Sequence, residues 1–196
     1  MRLFAAVQPP TPVLDHLETA LASVRGGSEA GTALRWTPPE GRHVTLAFYG
    51  EVGDGYTDEL AAALESAGRS IEPFEASLRG AGLFDGRTLW VGCAGDGWTR
   101  LIAAATGVGT ELLRRAPELR SRPHLTVARM RSHARRGATG AGEREVGAIA
   151  HALALYTGPT WTVGEIALVS SRLGAGPSGS PLYGVVQRFE LPTVAG

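Results

Sequence analysis

HVTLAF at residues 43–48 and HLTVAR at residues 124–129 are two copies of one pattern, His-apolar-Thr-apolar-Ala, with the histidines 81 positions apart. Successive side chains of a strand point to opposite faces. Each copy therefore sets its histidine and threonine on one face: His43 with Thr45, and His124 with Thr126. Val44 and Leu46, or Leu125 and Val127, take the other face and belong in a core. Packing gives no reason for an imidazole beside a hydroxyl on the front. A lone strand histidine is most often a satisfied, half-buried residue. Two in the same setting, each beside a threonine, point to a shared site. If the copies lie side by side about a pseudo-two-fold axis, two imidazoles face each other across a groove.

Outward from this pair, residues 2–7 (RLFAAV) read as a strand, and Thr11-Pro12 as a helix start with Thr as N-cap. Leu14, Leu17, Leu21 and Val24 follow at helical spacing. A Gly/Ser-rich loop covers 26–31, and Trp36-Thr37-Pro38-Pro39 leads into the first motif strand, 43–49. A helix follows at 58–67, then strands at 74–78 and 88–93, and a helix at 98–115 that Gly107 and Gly109 weaken. The second motif strand spans 124–130, a polar loop 132–142, a helix 145–156, and strands 162–170 and 182–191. Helices separated by paired strands, without regular βαβ alternation, argue for α+β with mainly antiparallel sheets. The expectation is a single domain over residues 1–196, made of two intertwined lobes. The pseudo-two-fold relates their sheets around a central cleft, with helices outside.

Composition narrows the chemistry. Net charge is zero, so contact with nucleic acid should be local rather than a matter of bulk electrostatics. Eight arginines against one acid, Glu118, lie between Arg114 and Arg136, a run that is usually a solvated face. All 19 basic residues are arginine. Without lysine there is no Schiff base, no P-loop lysine and no lysyl-adenylate, which removes ATP-dependent ligases. A single cysteine, Cys93, forbids an intramolecular disulfide. No apolar run nears the ~20 residues of a membrane span, and the opening MRLFAAVQPP does not read as a signal peptide. The expected location is the cytoplasm. Gly174 to Gly179 fits GxGxxG, but it contains a proline and leads into a strand, so it reads as a loop. No zinc-ligand spacing and no GxSxG elbow occur. His16, His133 and His151 read as surface residues.

Two opposed imidazoles suit phosphoryl chemistry. With a reference pKa of ~6.5, one can be neutral while its partner is protonated. The neutral ring takes a proton from an attacking water, and the protonated ring gives one to the leaving oxygen. The threonines can hydrogen-bond to the non-bridging oxygens. A cyclic phosphodiester has its attacking and leaving oxygens on opposite sides of phosphorus, which suits a two-sided site. No metal and no cofactor are expected.

The stretches RLFAAV at 2–7, HVTLAFYGEV at 43–52, LWVG at 89–92, RPHLTVAR at 122–129, LVSSRLG at 168–174 and LYGVVQRFEL at 182–191 carry a resemblance. The chain resembles the two-histidine phosphoesterases, specifically the bacterial RNA 2',3'-cyclic phosphodiesterases, historically called 2'-5' RNA ligases. The resemblance implies that His43 is the acid that protonates the ribose O3', and that His124 is the base acting on water. It further implies that Thr45 and Thr126 hold the phosphate, that Arg129 neutralises its charge, and that Phe48 stacks on the terminal base. The implied product is a 2'-phosphomonoester. The implied partner is an RNA end with a 2',3'-cyclic phosphate, or a small cyclic nucleotide, bound by a monomer. The chain departs from the family at Arg120-Ser121-Arg122, where relatives often carry an aromatic residue before the second Pro-His. Three rival readings stand beside hydrolysis: ATP-independent 2'-5' ligation by the reverse reaction, a small cyclic-nucleotide phosphodiesterase, and a non-catalytic RNA-end-binding module. The last would show loss of one of the four His and Thr residues, and all four are present. Tyr183 matches a family tyrosine and reads equally as packing residue or ligand. Phe48 shares parity with Val44 and Leu46, so a bulge or a strand end is needed to turn it into the groove.

Overall fold

The computed structural model describes residues 1–25, 34–114, 122–131, 141–176 and 179–192. The loop placed at 26–31, most of that placed at 132–142, and His133 lie outside the described residues. The described elements are β1 (Arg2–Val7), α1 (Thr11–Arg25), β2 (Leu34–Trp36), β3 (Val44–Glu51), α2 (Thr57–Gly68), β4 (Phe74–Phe84), β5 (Thr88–Ala94), α3 (Trp98–Leu113), β6 (His124–Met130), α4 (Ala141–Ala152), β7 (Thr157–Val163), β8 (Glu165–Arg172) and β9 (Leu182–Glu190). This is the expected α+β class, with every described strand pairing antiparallel.

The two expected sheets are joined. The strand order is β7-β4-β5-β6-β3-β1-β8-β9, with β2 added on β6. The joint is narrow, because β3 and β6 pair only at Val44 and Leu125. These two residues are equivalent in the two copies of the motif. The pseudo-two-fold axis therefore runs through this pair. Beyond it the strands part: β3 continues along β1, and β6 continues along β5 and β2. The opening between the diverging strands is the cleft.

Helices cross between the halves. After β1, α1 packs on β7 of the other half; after β5, α3 packs on β3 of the first. Meanwhile α2 covers β8 and β9, and α4 covers β4 and β5. The helices bury one face of the sheet. Leu3, Ala5 and Val7 of β1 enter that main core together with Val13, Leu17 and Leu21 of α1. The opposite face of β1 is also apolar: Phe4 and Ala6 form a second, small cluster with Ala167 and Val169. RLFAAV is continuously apolar because it serves a core on one side and the cleft floor on the other.

Several boundaries differ from expectation, each for a physical reason. The fully buried stripe of α1 is Val13, Leu17 and Leu21, with Leu14 and Val24 packed at its margins, and Thr11 is already helical. The strand expected at 74–78 continues to Phe84 and turns at Asp85-Gly86, whose φ values of 51° and 64° suit a two-residue hairpin turn. The stretch 162–170 is not one strand but parts of two. Before Gly164, β7 pairs with β4, and after it β8 pairs with β1, so the chain changes halves there. The fourth helix ends at Ala152 rather than at Tyr156, because a turn over 153–155 leads into β7. Gly109 lies within α3, where a Cβ would meet the Tyr49 ring at 3.0 Å, so the helix approaches that ring closely. That closeness lets the Tyr49 hydroxyl donate to the Ala105 carbonyl at 3.0 Å.

Candidate active site

The same irregularity occurs in both motif strands. Along β1 and β3, Ala6 is opposite Thr45 and Ala5 is opposite Ala47, so Leu46 has no cross-strand partner. Along β5 and β6, Trp90 is opposite Thr126 and Leu89 is opposite Ala128, so Val127 has none. Each is a β-bulge, which inserts one residue and re-aims the side chains beyond it. Two buried residues thus separate two front-facing ones: Leu46 and Ala47 between Thr45 and Phe48, and Val127 and Ala128 between Thr126 and Arg129. The bulge turns Phe48 to the front. Arg129 has the same parity problem and the same solution, which strand alternation alone does not reveal.

One cleft of about 420 Å³ is lined by His43, Thr45, Phe48, His124, Thr126 and Arg129 together. The Val44–Leu125 pair sits between His43 and Thr45 on one strand and between His124 and Thr126 on the other, so both His-x-Thr pairs flank the same point of the cleft. The rings are held differently. His124 is buried, and its Nδ1 lies 2.9 Å from the Arg122 carbonyl. A carbonyl only accepts, so Nδ1 carries the hydrogen, and in the neutral ring Nε2 is left as the proton acceptor. Phe84 packs edge-on against the same ring at 4.8 Å. His43 is half-buried; Phe4 lies against it at 4.7 Å and Tyr183 edge-on at 4.9 Å.

The segment leading into His43 is fixed from behind. Arg42 is buried, donates through Nε to the Thr37 carbonyl at 3.0 Å, and pairs with Glu18 of α1 at 2.5 Å. Glu18 also pairs with Arg25, whose guanidinium covers the Trp36 ring at 4.3 Å. Burial by itself would push the Glu18 carboxyl up. The bonds and charges of Arg42 and Arg25 outweigh it and hold the carboxyl below its ordinary value. Burial pulls the Arg42 guanidinium down, against the opposing bond to Glu18.

Other residues of the cleft escape sequence reasoning. Arg2 lies 4.6 Å over the Phe48 ring, and Phe48 stacks in turn on Phe4 at 6.5 Å. Arg35 and Trp36 also line the cleft, as does Tyr183, the tyrosine the resemblance points to. The cross-strand register would have revealed Arg35, which stands opposite Arg129. Among the described lining residues, three arginines (Arg2, Arg35, Arg129) face one carboxylate, Glu40. Within a chain of zero net charge, the described lining of the cleft is thus locally positive. Of the arginine-rich run, Arg114, Arg122, Arg129 and Arg131 are described, and Arg122 covers the Trp90 ring at 5.8 Å. His16 and His151 are exposed, and His16 Nδ1 is 3.0 Å from the Tyr156 hydroxyl. Among the described residues, no group of three or more His, Cys, Asp or Glu side chains is gathered as a metal site needs. No described helix is long and apolar enough to cross a membrane.

Comparison with known proteins gives concordant matches. An RNA 2',3'-cyclic phosphodiesterase of Methanothermobacter thermautotrophicus is 29% identical over 135 residues, covering 67% of this chain and 72% of the relative. A protein of the same name from Archaeoglobus fulgidus is 30% identical over 139 residues, covering 67% and 73%. A Thermus thermophilus protein of known crystal structure is 28% identical, with a TM-score of 0.73 over 99% of this chain and 100% of that one. The family model described as the 2'-5' RNA ligase superfamily matches residues 10–175, which include both motif strands. By this sequence pattern and by the fold that carries it, the chain belongs to the 2'-5' RNA ligase superfamily.

Proposed function

We propose that this chain hydrolyses 2',3'-cyclic phosphodiesters at RNA 3' ends to 2'-phosphomonoesters, by acid–base catalysis between two histidines. The observation that carries the reading is the Val44–Leu125 pair, which sets two His-x-Thr strands about one axis on one cleft. The names of the archaeal relatives support the substrate class.

In this mechanism His124 is the base. With Nδ1–H held by the Arg122 carbonyl, Nε2 takes a proton from water as its oxygen attacks phosphorus. The P–O3' bond breaks, and protonated His43 gives its proton to O3', leaving a free 3'-hydroxyl and a 2'-phosphate. Thr45 and Thr126 donate to the non-bridging oxygens. Arg129 meets the charge that grows on them, where its planar fork fits two oxygens. The terminal base stacks over the Phe48 and Arg2 layer. We propose that residues 1–196 act as one domain, as a monomer, in the cytoplasm.

The test is incubation with an RNA ending in a 2',3'-cyclic phosphate, in the presence of EDTA, with identification of the product. The expected product is the 2'-phosphomonoester. Activity that vanishes in EDTA and returns with a divalent ion, or a 3'-phosphate product, refutes the mechanism.

A further inference from the structure

We propose that Arg35, opposite Arg129 of the scissile-phosphate site, holds a second phosphate, the phosphodiester on the 5' side of the terminal nucleotide, which fits the cleft to an RNA end rather than to a lone cyclic nucleotide. The proposal rests on the hydrolase reading of the same cleft.

The register places these two arginines directly opposite each other on β2 and β6. Opposed residues of an antiparallel pair share a face, and like charges there repel. The fold nevertheless fixes the arrangement. Leu34 is fully buried beside Arg35, so alternation turns Arg35 to the cleft. The Thr37 N–H donates to the Val127 carbonyl at 2.8 Å and continues the ladder past the three residues of β2. The Val127 bulge then brings Arg129 onto the same face. Both side chains reach solvent: Arg35 is half-buried and Arg129 exposed. Two of their hydrogen bonds are long, Arg35 Nη1 to the Gly179 carbonyl and Arg129 Nη1 to Thr88 Oγ1, each at 3.4 Å. Phosphates at the two forks relieve the repulsion and accept charge-assisted bonds.

The chemical class of that anion is set by position. The scissile phosphate of the proposed mechanism lies at Thr126, and Arg129 is the next front-facing residue along β6. Arg35 stands one strand farther across, about 4.8 Å at the backbone, and both side chains are long. That spread spans the two phosphates flanking one ribose. A nucleoside 2',3'-cyclic phosphate has only the first of them, so it leaves Arg35 without a ligand.

The experiment compares two substrates and two ligands, with the unmodified chain and with Arg35→Gln. The substrates are adenosine 2',3'-cyclic phosphate and the dinucleotide ApA ending in a 2',3'-cyclic phosphate. The ligands, measured by calorimetry, are adenosine 2'-phosphate and adenosine 2',5'-bisphosphate. The unmodified chain should favour the dinucleotide in kcat/KM, and Arg35→Gln should lower that ratio about tenfold, the worth of one solvated charge-assisted bond. Arg35→Lys should keep part of the preference. The 5'-phosphate should tighten ligand binding by a similar factor in the unmodified chain but not in Arg35→Gln. If Arg35→Gln weakens both substrates in proportion, or if the 5'-phosphate adds no affinity, the second-phosphate site is refuted. If neither substrate is hydrolysed, the hydrolase reading falls, and the ligand pair still decides whether Arg35 binds the second phosphate.

Discussion

His124 has one nitrogen committed to a backbone carbonyl, whereas His43 rests between two aromatic rings. On the proposed mechanism both rings move a proton in the same step, so neither compensates for loss of the other. Replacing either with alanine should reduce kcat about 10²- to 10⁴-fold, with a much smaller change in substrate affinity. The double variant should fall short of the product of the single effects, because the pair acts as a unit. Steady-state kinetics decide this: a single variant with near-normal turnover refutes the two-sided scheme. Beyond the bulges the roles diverge. Arg129→Gln should lower kcat, since its contact strengthens as charge develops in the transition state. Phe48→Leu should mainly raise KM, by the ~1–3 kcal/mol of a stacked base. Phe48 touches the small cleft cluster rather than the main core, so its melting temperature should change little. A Leu variant that melts several degrees lower with unchanged KM would make Phe48 a packing residue only. The four His and Thr positions were legible from alternation alone. The facing of Phe48 and Arg129 was not, because a bulge depends on the register with a neighbouring strand, which the hexapeptide does not contain.

Among the elements, those carrying their own periodicity were readable: β1, β3, β6 and the helices α1 and α3. The elements missed are those defined by a partner. Three-residue β2 exists because β6 offers it an edge, and the break at Gly164 exists because β7 and β8 belong to different halves. The glycines of α3 show the same dependence and allow a paired test. Helix propensity says that Gly→Ala should stabilise a helix interior by about 1 kcal/mol. Around Gly107 an added Cβ meets nothing within 4 Å, whereas at Gly109 it meets the Tyr49 ring at 3.0 Å. Gly107→Ala should therefore raise the melting temperature. Gly109→Ala should fall below it, because the gain is offset by displacing a ring whose hydroxyl is bonded to Ala105. Thermal melts of the two variants give the comparison, and equal stabilisation would mean that Tyr49 yields freely.

At the scale of the whole molecule, the exchange of helices between halves ties stability to the cleft. Glu18 lies on α1, which packs on β7, yet its carboxylate pairs with the buried Arg42 that directly precedes His43. No sequence periodicity foretells that contact, because it joins segments 24 positions apart through the tertiary fold. It does have a pH signature. The carboxyl of Glu18 is held below its ordinary value of 4.5 in the folded chain, since its bonds and charges with Arg42 and Arg25 outweigh the burial that would raise it. A depressed acid binds its proton less readily when folded than when unfolded. Its contribution is thus complete above about pH 4.5 and fades as pH falls through the lower, folded value. Glu18→Gln keeps the shape but removes the charge, leaving Arg42 buried without its counter-ion. The variant should melt below the unmodified chain at about pH 7, and the gap should narrow steadily as the pH falls below about 4.5. Melting curves across that range read the effect directly. A gap that keeps its full size at about pH 3 would mean that Glu18 holds the His43 segment by shape rather than by charge.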